Sequence, residues 1–365
     1  MEGLFQSWVM KLVAKLANDQ EWGSNWRVSL EGLEQGGARI VCSVLYWPPT
    51  EFDPSKLHGE APLPEYFEDI QHQRESVEQD LRKKDPNQQR VIVAKTAADL
   101  EDQRMVFVHC VEGGLQLGDD PNAIDNEVRE LAEHGVVYIT LAHLFYRQVA
   151  TNAPAIPVLT DNQYNEFFPQ PAGTGLTELG SAAVRAMYKY SVLIDVSHMS
   201  ERALADTFKL VEELDEKNDG DQPKNYPLIA THVGMRNAAP GAQEYNLSED
   251  VAKKIHKRGG LIGLITAQHQ LGQTNSAIES QEVLGWHLKA IEKACGDHAA
   301  TAIGTDLDGF IKPTLTGLGN APELKALEGW VRANCPADAE AILHENARRV
   351  LKQAFKRRAE GSRVV

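Results

Sequence analysis

At 365 residues the chain is long enough to bury a core without disulfide staples. Its 42% hydrophobic and 24% charged residues are those of an ordinary globular protein. With 37 basic side chains against 52 acidic ones, the net charge is −15, and such a surface repels phosphate backbones and anionic lipid, which argues against nucleic-acid and membrane partners.

The chain opens on residues 1–20, where Leu4, Phe5, Val9, Leu12, Val13 and Leu16 recur at helical spacing. An amphipathic helix is expected there rather than a signal peptide. A repeated rhythm follows: a short Val- and Ile-rich run, a polar or glycine-rich loop, then a helical pattern. The runs fall at 38–47, 105–112, 136–143, 192–198, 227–232, 259–266 and 301–306. Helical patterns lie at 123–135, 176–190 and 248–260, the last with Ser248 as its cap and Gly259 and Gly260 at its end. The closing "RRVLKQAFKRR" reads as a solvated last helix.

Near-continuous apolar strands alternating with helices predict a parallel sheet covered by helices. Seven candidates are one short of a closed (β/α)8 barrel. An open doubly wound sheet could take seven, but no glycine-rich phosphate loop follows the first run. Two insertions stand out, at 48–104 and 144–175. The first has a Pro-rich opening, "WPPTEFDPSKLHGEAPLP", and a charged helix near 64–84; the second reads as an ordered, irregular cover. A single domain over 1–365 with these two insertions is expected. The four cysteines form no CxxC pair, so a reducing cytoplasm is the expected compartment.

Polar residues gather at the ends of these runs. Glu112, His143, His198, His232 and Asp306 each close one, and the C-terminal strand ends form the active face of a parallel barrel. Each taken alone has a bland reading: a hydrogen-bonded packing histidine, a helix cap, a turn residue. Together, imidazoles and carboxylates converging from separate strands suit a divalent ion such as Zn²⁺. Asp195 and Ser197 are placed to orient those ligands. His109 falls on the strand face opposite Glu112, which gives it a packing or supporting role, and Asp308 reads as a turn residue. His58, His72, His134, His256, His287, His298 and His344 read as structural or surface residues.

The segments "HCVEGG", "YITLAH", "GLTELGSAAVRAMYKYSVLIDVSHMS", "ATHVGMRN", "KRGGLIGLI" and "IGTDLDGF" resemble, in order and separation, the successive motifs of the membrane (renal) dipeptidase family. These are zinc metallopeptidases of the amidohydrolase-type barrel superfamily, and the resemblance covers residues 36–355. It implies a TIM-like barrel and a two-zinc site that cleaves dipeptides, often with a D-residue at the C-terminal position. Glu112 would bridge the metals, with His198 and His232 completing the second one. His143 would bind the developing oxyanion, and Asp306 would transfer a proton and hold the substrate amine. Homodimers are compatible with the resemblance.

Two departures are visible. The family has a His-x-Asp pair on its first strand that binds the first metal, and here no histidine precedes His58. The run at 38–47 matches the family's second strand. A barrel lacking its first strand is therefore expected, with one well-formed metal position, and a start assigned too far downstream is the favoured cause. Second, Tyr245 stands where the family has an arginine that clamps the substrate carboxylate; Arg147 and Arg236 are candidate substitutes. The expected activity is hydrolysis of dipeptides or related small amides by a zinc-activated hydroxide. The alternatives are lactone or N-acyl amino acid hydrolysis, or a catalytically silent ligand-binding homologue.

Overall fold

Eight strands, all parallel, occur among the described residues of the computed structural model, which are 27–52, 58–157, 159–218, 225–240, 244–309, 311 and 313–361. The helix expected over 1–20 lies outside them. The strands are β1 (Ile40–Leu45), β2 (Val91–Val93), β3 (Met105–Glu112), β4 (Tyr138–Thr140), β5 (Leu193–Asp195), β6 (Leu228–Val233), β7 (Leu261–Leu264) and β8 (Thr301–Ile303). Their order is β1-β3-β4-β5-β6-β7-β8, with β2 also on β3. The helices are α1 (Leu30–Gln35), α2 (Pro48–Glu51), α3 (Tyr66–Lys84), α4 (Ile124–Glu133), α5 (Asp161–Phe167), α6 (Glu178–Tyr190), α7 (Glu201–Lys217), α8 (Glu249–Lys257), α9 (Gln268–Leu271), α10 (Ala277–Cys295), α11 (Leu324–Asn334) and α12 (Asn346–Ala359). Parallel pairing requires crossovers, and from β3 onward most strand pairs are joined by such a helix.

The count of seven strands is corrected by β2, which lies inside the insertion at 48–104. It pairs with Met105–Phe107, while β4 pairs further along the same strand at Val111 and Glu112. A three-residue strand is too short for alternation to reveal it. The other strands follow the expected runs and are mostly shorter, with β6 running one residue past its run to Val233. His143, His198 and Asp306 consequently sit in loops just past strand ends, whereas Glu112 and His232 are strand residues. Helix starts follow the caps: the side chains of Thr177, Ser200, Ser248 and Ser276 each accept a first-turn N–H.

Side-chain alternation separates two of the apolar clusters of the core. Val106, Val108 and Cys110 of β3 face inward and cluster with Ile40, Tyr138, Leu193, Ile229, Leu261 and Ala302. One apolar cluster thus touches both ends of the strand order, so the sheet is curled, consistent with a TIM-like barrel. Outward residues such as Ile139, Ile194 and Leu228 pack against Val128, Met187 and Val211 of the covering helices. His109 faces outward as expected; it is fully buried, with Nε2 3.8 Å from Glu78 Oε1 of α3.

Among the described residues β1 pairs only with β3, and β8 only with β7. A cavity of about 1190 Å³, lined by residues of β1 and of β3 to β8, includes Cys42 and Ala302 as well as Glu112 and Asp306. No helix among the described residues is long and apolar enough to cross a membrane.

Candidate metal and catalytic centre

The five expected residues meet at the C-terminal end of the sheet. Glu112 ends β3 and is followed by Gly113 at φ +88°. Its Oε1 lies 3.3 Å from His232 Nε2 and 3.7 Å from His198 Nε2, and its Oε2 lies 3.7 Å from His143 Nε2. The Nε2 atoms of His198 and His232 are 2.9 Å apart. Donor atoms of Glu112, His143 and His198 all fall within 4.8 Å of one another. His232 stands where the β6–β7 register shifts, between Ala230 and Val233, and such irregularities re-aim a side chain. His198 and Asp306 hold backbone φ of +65° and +52°, costly for residues with a Cβ and typical of functional sites.

Asp195 organises the surroundings. Fully buried, it accepts from Thr140 Oγ1 (2.6 Å), Ser197 N (3.0 Å), Ser197 Oγ (2.8 Å), Thr231 N (3.0 Å) and Thr231 Oγ1 (2.6 Å). Thr231 Oγ1 also lies 2.7 Å from His232 Nδ1. The hydroxyl has one proton and gives it to Asp195, so it accepts from His232 Nδ1–H. That fixes the tautomer and leaves the Nε2 lone pair aimed at Glu112 and His198. Asp195 therefore orients a ligand through Thr231, and Ser197 belongs to the same network.

Burial holds His198 well below the usual imidazole range, with His143 and His232 adding to the effect, so its ring is neutral. Its Nδ1 is buried without a hydrogen-bond partner among the described residues. Imidazole nitrogens converging beside a carboxylate form the donor chemistry of a divalent-ion site. Burial opposes charge on His143, yet the Glu51 and Glu112 carboxylates raise it to about 9. Burial pushes the Asp306 carboxyl up to about 7, with His232 opposing the rise and Glu112 adding to it.

The expected substrate-binding residues are already engaged. Tyr245 is buried edge-on to His198, centroids 4.9 Å apart, and its hydroxyl donates to the His232 carbonyl at 2.7 Å. Arg147 donates to the Glu51 carbonyl at 2.7 Å. Arg236 pairs with Glu201 and donates to the carbonyls of Glu244 and Asn246. Asp308 occupies a turn at φ +70°.

Two residues escaped the sequence reading. Glu51 of α2, fully buried, places Oε2 2.5 Å from His143 Nδ1; the only signal was an acid inside the Pro-rich opening of the first insertion. His269, on α9 just past β7, is buried and lowered to about 4 by that burial. It too follows a strand end, but within "TAQHQLG" it did not close the apolar run.

A family model described as membrane dipeptidase (peptidase family M19) matches residues 7–363. A curated relative, described as an uncharacterized protein in the pqqA 5' region of Klebsiella pneumoniae, is 28% identical over 199 residues; the match covers 52% of this chain and 66% of that protein, just under two thirds of its length. Similar solved structures include dipeptidase AC, described as an M19 metallo peptidase, at 19% identity and TM-score 0.68, with 96% of each chain covered. A metallo peptidase from Rhodobacter sphaeroides, liganded with a phosphinate mimic of the dipeptide L-Ala-D-Ala, is 20% identical with TM-score 0.67, covering 96% and 97%. The probable dipeptidase PvdM from Pseudomonas aeruginosa is 16% identical with TM-score 0.62, covering 96% and 99%. At these identities the structures show a shared fold.

Proposed function

The chain belongs to the membrane dipeptidase family, peptidase family M19, and from that premise we propose that it hydrolyses dipeptides or related small amides with a bound zinc ion. One observation supports this above the others: Glu112, His198 and His232 converge within 3.7 Å, with the His232 lone pair held toward the centre by Thr231. These three residues would hold the ion as one complete position. When bound, such an ion acidifies a water and polarises a carbonyl.

The remaining steps belong to side chains. His143 presents Nε2 toward Glu112 and, positively charged, stabilises the oxyanion as it develops. Asp306, with its carboxyl raised to about 7, exchanges a proton near neutrality and delivers it to the leaving amine. Tyr245 offers its ring as a wall. A substrate carboxylate would have to share Arg147 or Arg236 with the partners they already have, which favours substrates amidated at that end.

Residues 1–365 are read as one barrel domain with 48–104 and 144–175 as its insertions. The seam between β1 and β8 is read as the place of the missing first barrel strand, since each borders it with one unpaired edge among the described residues and such edges are costly to leave open. Free Cys42, Cys110, Cys295 and Cys335 fit a reducing cytoplasm.

The test is a zinc count joined to a panel of free and amidated dipeptides. Wild type should bind zinc and turn over at least one substrate; His198→Ala should lose both while keeping its circular dichroism. Equal turnover in the two proteins would sink the assignment. Wild type with less than one zinc per chain and no turnover would favour the silent ligand-binding homologue.

A further inference from the structure

We propose that Glu51 is a positioning residue for His143, and that the first insertion therefore completes the catalytic centre. The proposal rests on the hydrolytic reading of His143 given above. Pro48 starts a single helical turn, which its fixed φ favours at a first helical position. Thr50 anchors the turn, donating to the Trp47 carbonyl at 2.7 Å and accepting from Gln116 Nε2 at 2.9 Å. Glu51 at the end of this turn is fully buried. A buried carboxylate is tolerated only when every oxygen is paired, and here each one is. Oε2 meets His143 Nδ1 at 2.5 Å and the Tyr46 hydroxyl at 2.8 Å, while Oε1 accepts from Phe145 N at 2.8 Å.

These bonds set the orientation of His143. An acceptor-only group against Nδ1 requires the proton on Nδ1. Tyr46 packs edge-on to the ring, centroids 4.7 Å apart. Clamped at Nδ1 and on its face, the ring has one direction left for Nε2, toward Glu112 Oε2 at 3.7 Å. Supporting carboxylates of this kind act by fixing the ring orientation and holding the proton on Nδ1. A purely structural Glu51 side chain would instead serve only to cap the loop at the Phe145 N–H.

Glu51→Gln separates the two roles, because it keeps the volume and one acceptor for Phe145 N–H. With the zinc-loaded full chain and the best dipeptide of the panel, kcat should fall about 10–100-fold, the range seen when a supporting partner is lost. KM and zinc content should stay near wild type. An unchanged kcat would overturn the proposal. A second readout needs no turnover: in metal-free protein with ¹⁵N-labelled histidine, His143, identified by its loss in His143→Gln, should carry its proton on Nδ1, and Glu51→Gln should shift that signal. A bare Nδ1 in wild type would overturn the proposal whatever the activity. If no dipeptide is cleaved, the hydrolytic reading fails and this spectrum still decides the dyad. Should Glu51→Gln not fold, Glu51→Asp replaces it: the carboxylate withdrawn by one methylene should lower kcat at constant KM, and an unchanged kcat would again overturn the proposal.

Discussion

Replacing Asp195 tests how the centre is held. Five donors converge on this buried carboxylate, from β4, the loop after β5 and β6. In Asp195→Ala, Thr231 N keeps an alternative acceptor in Ser197 Oγ at 2.9 Å, and the Ser197 and Thr231 hydroxyls can turn toward each other across 3.5 Å. The Ser197 N–H and the Thr140 hydroxyl are left unpaired. At about 1–3 kcal/mol for each orphaned buried donor, the loss over the two is roughly 2–6 kcal/mol. Asp195→Asn behaves differently. Its carbonyl replaces Oδ1 and keeps the Ser197 and Thr231 N–H bonds, while its NH₂ replaces Oδ2 and faces the Thr140 and Thr231 hydroxyls, which turn to accept. The fold should lose only about 1 kcal/mol, the net worth of an ordinary hydrogen bond. The Thr231 hydroxyl, however, is then released to donate to His232 Nδ1. The His232 proton moves to Nε2, where the ligand lone pair was, and zinc affinity should fall about 10–100-fold, as for other supporting partners. Urea unfolding of the metal-free proteins measures the first quantity and zinc titration the second. Wild-type zinc affinity in Asp195→Asn, or a loss below about 1 kcal/mol in Asp195→Ala, would refute the reasoning.

Two further outcomes concern the scaffold. Burial, then Asp120 and Asp119, raises the Glu127 carboxyl to about 7, against roughly 4.3 in the unfolded chain. The folded state holds that proton more tightly, so its stabilisation is complete below about pH 4 and is lost as pH climbs to 7. Glu127→Gln should flatten the fall in unfolding midpoint over that window, and an unchanged slope would count against the assignment. In Gly304→Ala the new Cβ would overlap the Thr231 carbonyl oxygen. Overpacking of this kind costs about 1–3 kcal/mol, and the strain falls on the residue that orients His232. Thermal unfolding and zinc affinity should both drop; wild-type values for both would show that the barrel interior has room to yield there.

The sequence by itself determined the parallel α/β architecture, the helix caps and the residue types at the strand ends, because these signals are local. Alternation, 3.6-residue periodicity and capping side chains act within one element, which is why Glu112, His198 and His232 could be named and His109 assigned to the opposite face. Even there most strands proved shorter than their apolar runs, since burial continues into the loops that hold Leu141, Ala142 and Val196. The tertiary structure decided the rest. Glu51 reaches His143 across 92 positions, and Asp195 reaches Thr231 across 36; no periodicity encodes such pairs. Tyr245, which matching motifs placed at a substrate clamp, spends its hydroxyl on the His232 carbonyl. Short β2 joined the sheet through pairing rather than pattern. Hydrogen-bond partners that fix a tautomer are chosen by proximity in the folded chain, and proximity is the one property a linear reading cannot supply.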